Sequence, residues 1–266
     1  MTLFLAPLAL AASLWLWYLL WSPRSLAGIT SQRPLLLGHR GVRGSQPDNS
    51  LPAFQEAFEA GLDGIECDVQ MTRDGQLILQ HDFELADGRP VRTLTRHEIQ
   101  QLDGHVISLE TLLELAKNYP QTLLNLEIKL PFNTATWRYQ WWGSRALEPR
   151  LAKLVHEHGL EDRVLVSSFH PLPLARLRMV APRLRTALLT YKNVSWWIAG
   201  LLHVDALHPH HSSIDQTTVA KAHKRALMVN SWTVNDASEV ARLMSYATDG
   251  LVADDPNALK KAAGRA

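Results

Sequence analysis

The 266-residue sequence contains a single cysteine, Cys67. It can form no internal disulfide and no cysteine-based zinc site, so a metal or acid–base centre must be built from His, Asp and Glu. Excess charge is lacking too. Twenty-seven basic residues face 26 acidic ones, giving +1 with histidine neutral, and no block of like charge stands out. That balance excludes an electrostatic case for nucleic acid as a partner and turns attention to a small or lipid substrate. No low-complexity linker and no internal repeat interrupts the chain. With 46% hydrophobic and 20% charged residues the composition is that of a globular protein, not a disordered one. What the chain does have is twelve histidines and nine tryptophans.

Charge is missing altogether from Met1 to Trp21, and Leu3–Trp21 is nearly all Leu, Ala, Trp and Phe, broken only by Pro7. A run of this length suits an α-helix crossing a bilayer. It lacks the basic n-region and short apolar core of a secretory signal peptide, although Ser25-Leu26-Ala27 offers a cleavage-like site. The expectation is a single-pass N-terminal transmembrane anchor over 1–22, a linker over 23–34 and one catalytic domain over 35–266. Arg24 and Arg33 follow the span and none precedes it, which leans towards a cytoplasmic domain but leaves the side of the membrane open.

Beyond residue 34, β-like runs alternate with helical stretches, the pattern of a mostly parallel sheet. Eight runs are expected as strands: Leu35–His39, Gly64–Val69, Leu123–Ile128, Val164–Ser168, Thr186–Leu189, Asp205–His208, Met228–Ser231 and Gly250–Ala253, with a short extra piece at Leu77–Gln80. Six amphipathic or capped helices fill gaps between them. Eight strand–helix units predict a (β/α)8 TIM barrel with its chemistry at the C-terminal strand ends. An open doubly wound sheet is the alternative, but no Gly-x-Gly-x-x-Gly turn opens a first helix.

Polar residues collect at those strand ends. The first run leads into Gly38-His39-Arg40-Gly41, which presents an imidazole and a guanidinium to a phosphate, or is merely a polar turn. In the second, Glu66 and Asp68 are two apart and share a face. Two carboxylates aimed into one barrel repel unless a cation joins them, and oxygen ligation suits Mg²⁺ or Ca²⁺. His81-Asp82 ends the extra piece, and an imidazole there can give or take a proton at working pH or simply cap a turn. The third run sets Asn125, Glu127 and Lys129 on one face; Glu127 completes a three-carboxylate set, or forms a structural pair with Lys129. Trp232 ends the seventh run as a pocket wall or a plug.

Taken in order, His39-Arg40-Gly41, Pro47-Asp48-Asn49-Ser50, Gly64-Ile65-Glu66-Cys67-Asp68-Val69, Thr72-Arg73-Asp74-Gly75, His81-Asp82, Leu126-Glu127-Ile128-Lys129, Trp232-Thr233-Val234-Asn235 and Asp249-Gly250-Leu251-Val252 resemble the successive motifs of the glycerophosphodiester phosphodiesterase family. The resemblance spans about residues 35 to 256. It implies a barrel with one divalent cation, Ca²⁺ or Mg²⁺, on Glu66, Asp68 and Glu127. His39 and His81 would be the general acid and base, and Arg40, Lys129 and Trp232 would meet the substrate. It further implies attack by the substrate's own glycerol hydroxyl on phosphorus, through a cyclic phosphate that water opens. Expected substrates are glycerophosphodiesters or, in a lysophospholipase D-like variant, lysophospholipids. Two departures stand out: Asp48 occupies a position usually held by Glu, and the stretch Phe83–Leu109 is short for a cap, which would leave the site open.

The tryptophans add a further expectation. Trp137, Trp141 and Trp142 follow the third run, and Trp196 and Trp197 follow the fifth, on the catalytic side of a barrel. They would form an aromatic rim seated on a bilayer, or pack between outer helices. A catalytically inactive barrel used for binding or scaffolding is the alternative function.

Overall fold

The computed structural model describes residues 13–24, 34–131, 136 and 138–265. Eight parallel strands close on themselves: β1 (Leu35–His39), β2 (Gly64–Met71), β4 (Leu123–Ile128), β5 (Val164–Ser168), β6 (Arg185–Thr190), β7 (Ala206–Pro209), β8 (Met228–Ser231) and β9 (Gly250–Ala253). β1 pairs with both β2 and β9, which closes the barrel. β3 (Leu77–Leu79) runs antiparallel to the end of β2 and stands outside the ring.

Residue alternation explains the two cores. Leu35, Leu37, Leu123, Leu165, Ala187, Ala206, Met228 and Val252 point inward and plug the barrel's lower half. The opposite strand faces pack a larger cluster against the helices, including Leu36, Ile65, Cys67, Leu126, Val166 and Leu251. Cys67 is buried and free, a small apolar filler on the helix side.

Of the helices, α2 (Leu51–Glu59), α4 (Leu109–Ala116), α5 (Leu147–Glu157), α6 (Pro171–Val180), α8 (Gln216–His223) and α9 (Ala237–Ser245) stand where the periodicity predicts, within a few residues at their ends. Three others escaped sequence reading. α3 (Arg96–Leu102) is started by a capping box in which Thr95 and Glu98 bond each other's backbone. α7 (Trp196–Leu201) and α10 (Pro256–Ala262) are too short for a clear apolar period.

The membrane anchor is the expectation the structure overturns. Among the described residues no helix is long and apolar enough to cross a membrane. Residues 13–19 are helical, α1, and this segment docks on the barrel. Trp17 Nε1 donates to Leu201 O and Trp21 Nε1 to Val204 O, both at 2.8 Å. The Tyr18 ring stacks on Trp197 at 5.5 Å. Gly200 makes the room, since a Cβ there would lie 2.1 Å from Tyr18 Cε2. Arg24 then clamps Asp205 through its backbone N–H and guanidinium. An apolar aromatic run reads alike whether it meets lipid or protein, and here Trp17, Tyr18 and Trp21 meet protein. Residues 1–12 and the cleavage-like Ser25-Leu26-Ala27 lie outside the described residues.

Candidate active site

Strand register brings the site together. His39 lies beside Glu66 across β1 and β2, and Asp68 beside Glu127 across β2 and β4. Side chains two apart share the inward face, so the three carboxylates meet at the upper end of the barrel. One oxygen from each of Glu66, Asp68 and Glu127 lies within 4.8 Å of the others, and all three residues are buried.

The turn after β1 depends on glycine. Arg40 and Gly41 have φ of 53° and 89°. A Cβ on Gly41 would meet the Ala53 carbonyl at 2.7 Å, and one on Gly38 would meet Gly41 O at 2.2 Å. This tight turn sets the Arg40 N–H on Glu66 Oε2 at 3.2 Å and its guanidinium on Asp68, at 3.2 Å from Nε, and on Asp48, at 2.9 Å from Nη1. The shorter Asp48 therefore still anchors Arg40, helped by Arg43 at 3.1 Å.

Charge in the cluster does not balance. Arg40 and Lys129 face three carboxylates, with Lys129 Nζ 3.0 Å from Glu127 and 3.5 Å from Asp68. Burial would raise Asp68, but Lys129 and Arg40 outweigh it and hold the group below the usual carboxylate range. Burial pushes Glu66 well above that range, with Asp68 and Glu127 adding to it. Glu127 rises to about 7 for the same reason, Lys129 opposing. Burial would lower Lys129, yet Glu127 and Asp68 keep it high. Glu66 carries the deficit. Its partners among the described residues are one backbone N–H and, at 3.9 Å, His39 Nε2. A divalent cation would neutralise that surplus, and a set of oxygens alone fits Ca²⁺ or Mg²⁺.

The histidines differ. His39 is half-buried, with Nδ1 held by Asp254 and Nε2 facing the carboxylates. The His81 side chain is 38% exposed, and its Nδ1 lies 2.7 Å from Asp82 Oδ1. Burial lowers His81, with Asp68 opposing and Lys129 and Arg40 reinforcing, so its ring feels the same cluster. Gln70 fixes this segment by donating to Gln80 O and Asp82 O at 2.8 and 2.7 Å. Trp232 roofs the far side, its Nε1 donating to His208 O at 2.7 Å and its ring meeting Phe169 edge-on at 5.3 Å. A cavity of about 30 Å³, ample for a water molecule, lies among His39, Glu66, Asn125, Glu127, His208 and Trp232. The buried Asn125 Oδ1 beside it has no protein partner.

All eight residues singled out from the sequence thus stand on one face, with His81 at its edge. Sequence reasoning assigned no role to three others. Asn49 grips Asp68 twice, Nδ2 donating to Oδ2 at 2.9 Å and Oδ1 accepting from the backbone N–H at 3.1 Å. Asp254 sits directly after β9, and Asn235 touches it. The rule that barrel chemistry follows strand ends could have flagged Asp254. Of the tryptophans expected to form a rim, Trp196 lies under Lys221 at 4.4 Å and Trp197 against Tyr18. Trp137 and the side chains of Trp141 and Trp142 lie outside the described residues.

Three clustered carboxylates, two imidazoles, an arginine and a lysine at the C-terminal face of a TIM-like barrel are the parts that a metal-assisted phosphate-ester enzyme would use. The chain belongs to the Glycerophosphoryl diester phosphodiesterase family, whose model matches residues 39–258. It is 31% identical to a glycerophosphodiester phosphodiesterase of Caldanaerobacter subterraneus subsp. tengcongensis over 245 residues, covering 85% of this chain and 96% of that one. A second such protein, from Bacillus altitudinis, is 28% identical over 84% of this chain and 95% of its own. Among solved structures, a glycerophosphodiester phosphodiesterase from Parabacteroides distasonis shares the fold with a TM-score of 0.75 at 22% identity, covering 86% of this chain and 97% of that one.

Proposed function

We propose that the chain hydrolyses glycerophosphodiesters to an alcohol and glycerol 3-phosphate, with one divalent cation held by Glu66, Asp68 and Glu127. The observation that carries this reading is the buried carboxylate trio, ligand atoms within 4.8 Å, facing too few cations to neutralise it. Bound there, Ca²⁺ or Mg²⁺ would offset charge developing on the phosphoryl oxygens.

The chain's own groups divide the remaining work. His39 offers Nε2 to the pocket because Asp254 occupies Nδ1. His81, whose Nδ1 is taken by Asp82, likewise offers Nε2 from the solvent edge. One removes a proton from the attacking hydroxyl and the other supplies one to the departing alkoxide. Arg40, fixed by Asp68 and Asp48, and Lys129, beside Glu127, bring positive charge to the phosphate. Trp232 closes the pocket opposite them.

Lysophospholipids present the same phosphodiester with an acyl chain attached, and they extend the proposed substrate class. The test is release of headgroup from glycerophosphocholine and lysophosphatidylcholine by the full chain, with EDTA and after restoring Ca²⁺ or Mg²⁺. Glycerol 3-phosphate should appear only with metal, and Glu66→Gln should abolish it. Metal binding with no turnover of either substrate would favour the inactive-barrel alternative. Turnover indifferent to EDTA would sink the metal assignment.

A further inference from the structure

Asn235 ends the Trp232-Thr233-Val234-Asn235 motif, and the function above gives it no task. Its side chain is bonded at both ends to Asp254: Nδ2 donates to Asp254 Oδ2 at 2.5 Å, and Oδ1 accepts from the Asp254 backbone N–H at 2.9 Å. The turn that carries it is pinned in turn by the Val234 N–H on Val252 O at 2.8 Å. The other oxygen of Asp254 takes His39 Nδ1 at 2.6 Å, with Arg43 Nη1 a further charged neighbour at 4.0 Å.

We infer that Asp254 is a positioning residue, held by Asn235, that fixes His39 as its Nδ1–H tautomer and so directs the Nε2 lone pair into the pocket. The inference rests on the proposed hydrolysis, in which His39 must present Nε2. A carboxylate only accepts hydrogen bonds, so Nδ1 must donate to it. Asn235 sets the direction of this choice. Its Oδ1 is committed to a backbone N–H, so its Nδ2 must face the Asp254 side chain as a donor. In Asp254→Asn the introduced amide would have to turn its oxygen to Asn235 and its NH₂ to His39. That reverses the bond at Nδ1 and moves the ring proton to Nε2, where it blocks the position from accepting. The ring stays in place while its proton sits on the wrong nitrogen.

Two readouts test this. Long-range ¹H–¹⁵N spectra of histidine-labelled, EDTA-treated protein near pH 8 report the tautomer, with the His39 signals assigned by their loss in His39→Gln. The wild type should show the Nδ1–H form and Asp254→Asn the Nε2–H form. With saturating metal, Asp254→Asn should lower kcat on glycerophosphocholine by about 10²–10⁴-fold with little change in KM. Asn235→Ala, a milder change, should lower kcat less and again leave KM alone. A wild-type Nε2–H tautomer overturns the inference without any variant. So does an unaltered tautomer in Asp254→Asn, or a loss confined to KM. A wild type that turns over no glycerophosphodiester would instead refute the proposed hydrolysis, leaving the tautomer result to stand by itself.

Discussion

Removing one carboxylate from the cluster should stabilise the metal-free protein, and by an amount that depends on pH. Glu127 is raised from 4.5 to about 7 by burial, against the pull of Lys129. Between those values the folded chain holds a proton that the unfolded chain has released, so stability falls as pH rises through the window. A shift of about 2.5 units corresponds to about 3 kcal/mol, fully expressed above pH 7 and absent below about 4.5. Glu127→Gln cannot ionise and escapes that loss. Urea unfolding in EDTA, followed by tryptophan fluorescence, should therefore show the variant gaining on the wild type by about 3 kcal/mol between pH 5 and pH 8. The difference between the proteins is the proper readout, because His208 drives both curves the other way. Saturating the wild type with Ca²⁺ or Mg²⁺ at a hundred times its Kd should restore about 2.7 kcal/mol at pH 8 and leave Glu127→Gln nearly unmoved. A constant offset between the two proteins across this range would refute the claim that the cluster is strained by unbalanced charge.

Further predictions follow from single contacts. His208 is fully buried, its Nε2 accepting from Asn230 Nδ2 at 3.0 Å, and burial lowers it to about 3. The unfolded chain binds a proton below about 6.5 that the folded one refuses, so stability drops as pH falls. His208→Gln should gain about 2 kcal/mol on the wild type between pH 7 and pH 5, read by the same unfolding assay. Asn49→Ala removes both grips on Asp68 and should weaken Ca²⁺ or Mg²⁺ binding by about 10–100-fold in calorimetry. Gly200→Ala places a methyl against Tyr18 and should release the docked segment 13–24, raising amide exchange there at a cost of about 1–3 kcal/mol while the barrel stays folded.

Much of this site could be read from the sequence because barrel strands alternate. Glu66 and Asp68, two apart in an otherwise apolar run, must share a face, and Glu127 and Lys129 repeat the pattern on the strand that pairs beside them. Five of the eight barrel strands have the bounds expected from their apolar runs, and the other three shift by one or two residues. Long-range pairing was not legible. Asp254 meets His39 across 215 residues of sequence, a contact that only closure of the barrel creates, and Asn49 meets Asp68 from the turn before α2, a contact set by how that turn folds onto β2. The N-terminal run failed for a related reason. Hydropathy records that Trp17, Tyr18 and Trp21 avoid water but not what they meet, and here the partner is α7 and the chain just after it.

Anomalous diffraction from crystals of the full chain soaked in Mn²⁺ tests the carboxylate assignment most directly. One strong peak should lie about 2.0–2.6 Å from oxygens of Glu66, Asp68 and Glu127, and it should vanish in Glu66→Gln. A peak held by other residues, or one that persists in the variant, would contradict the account.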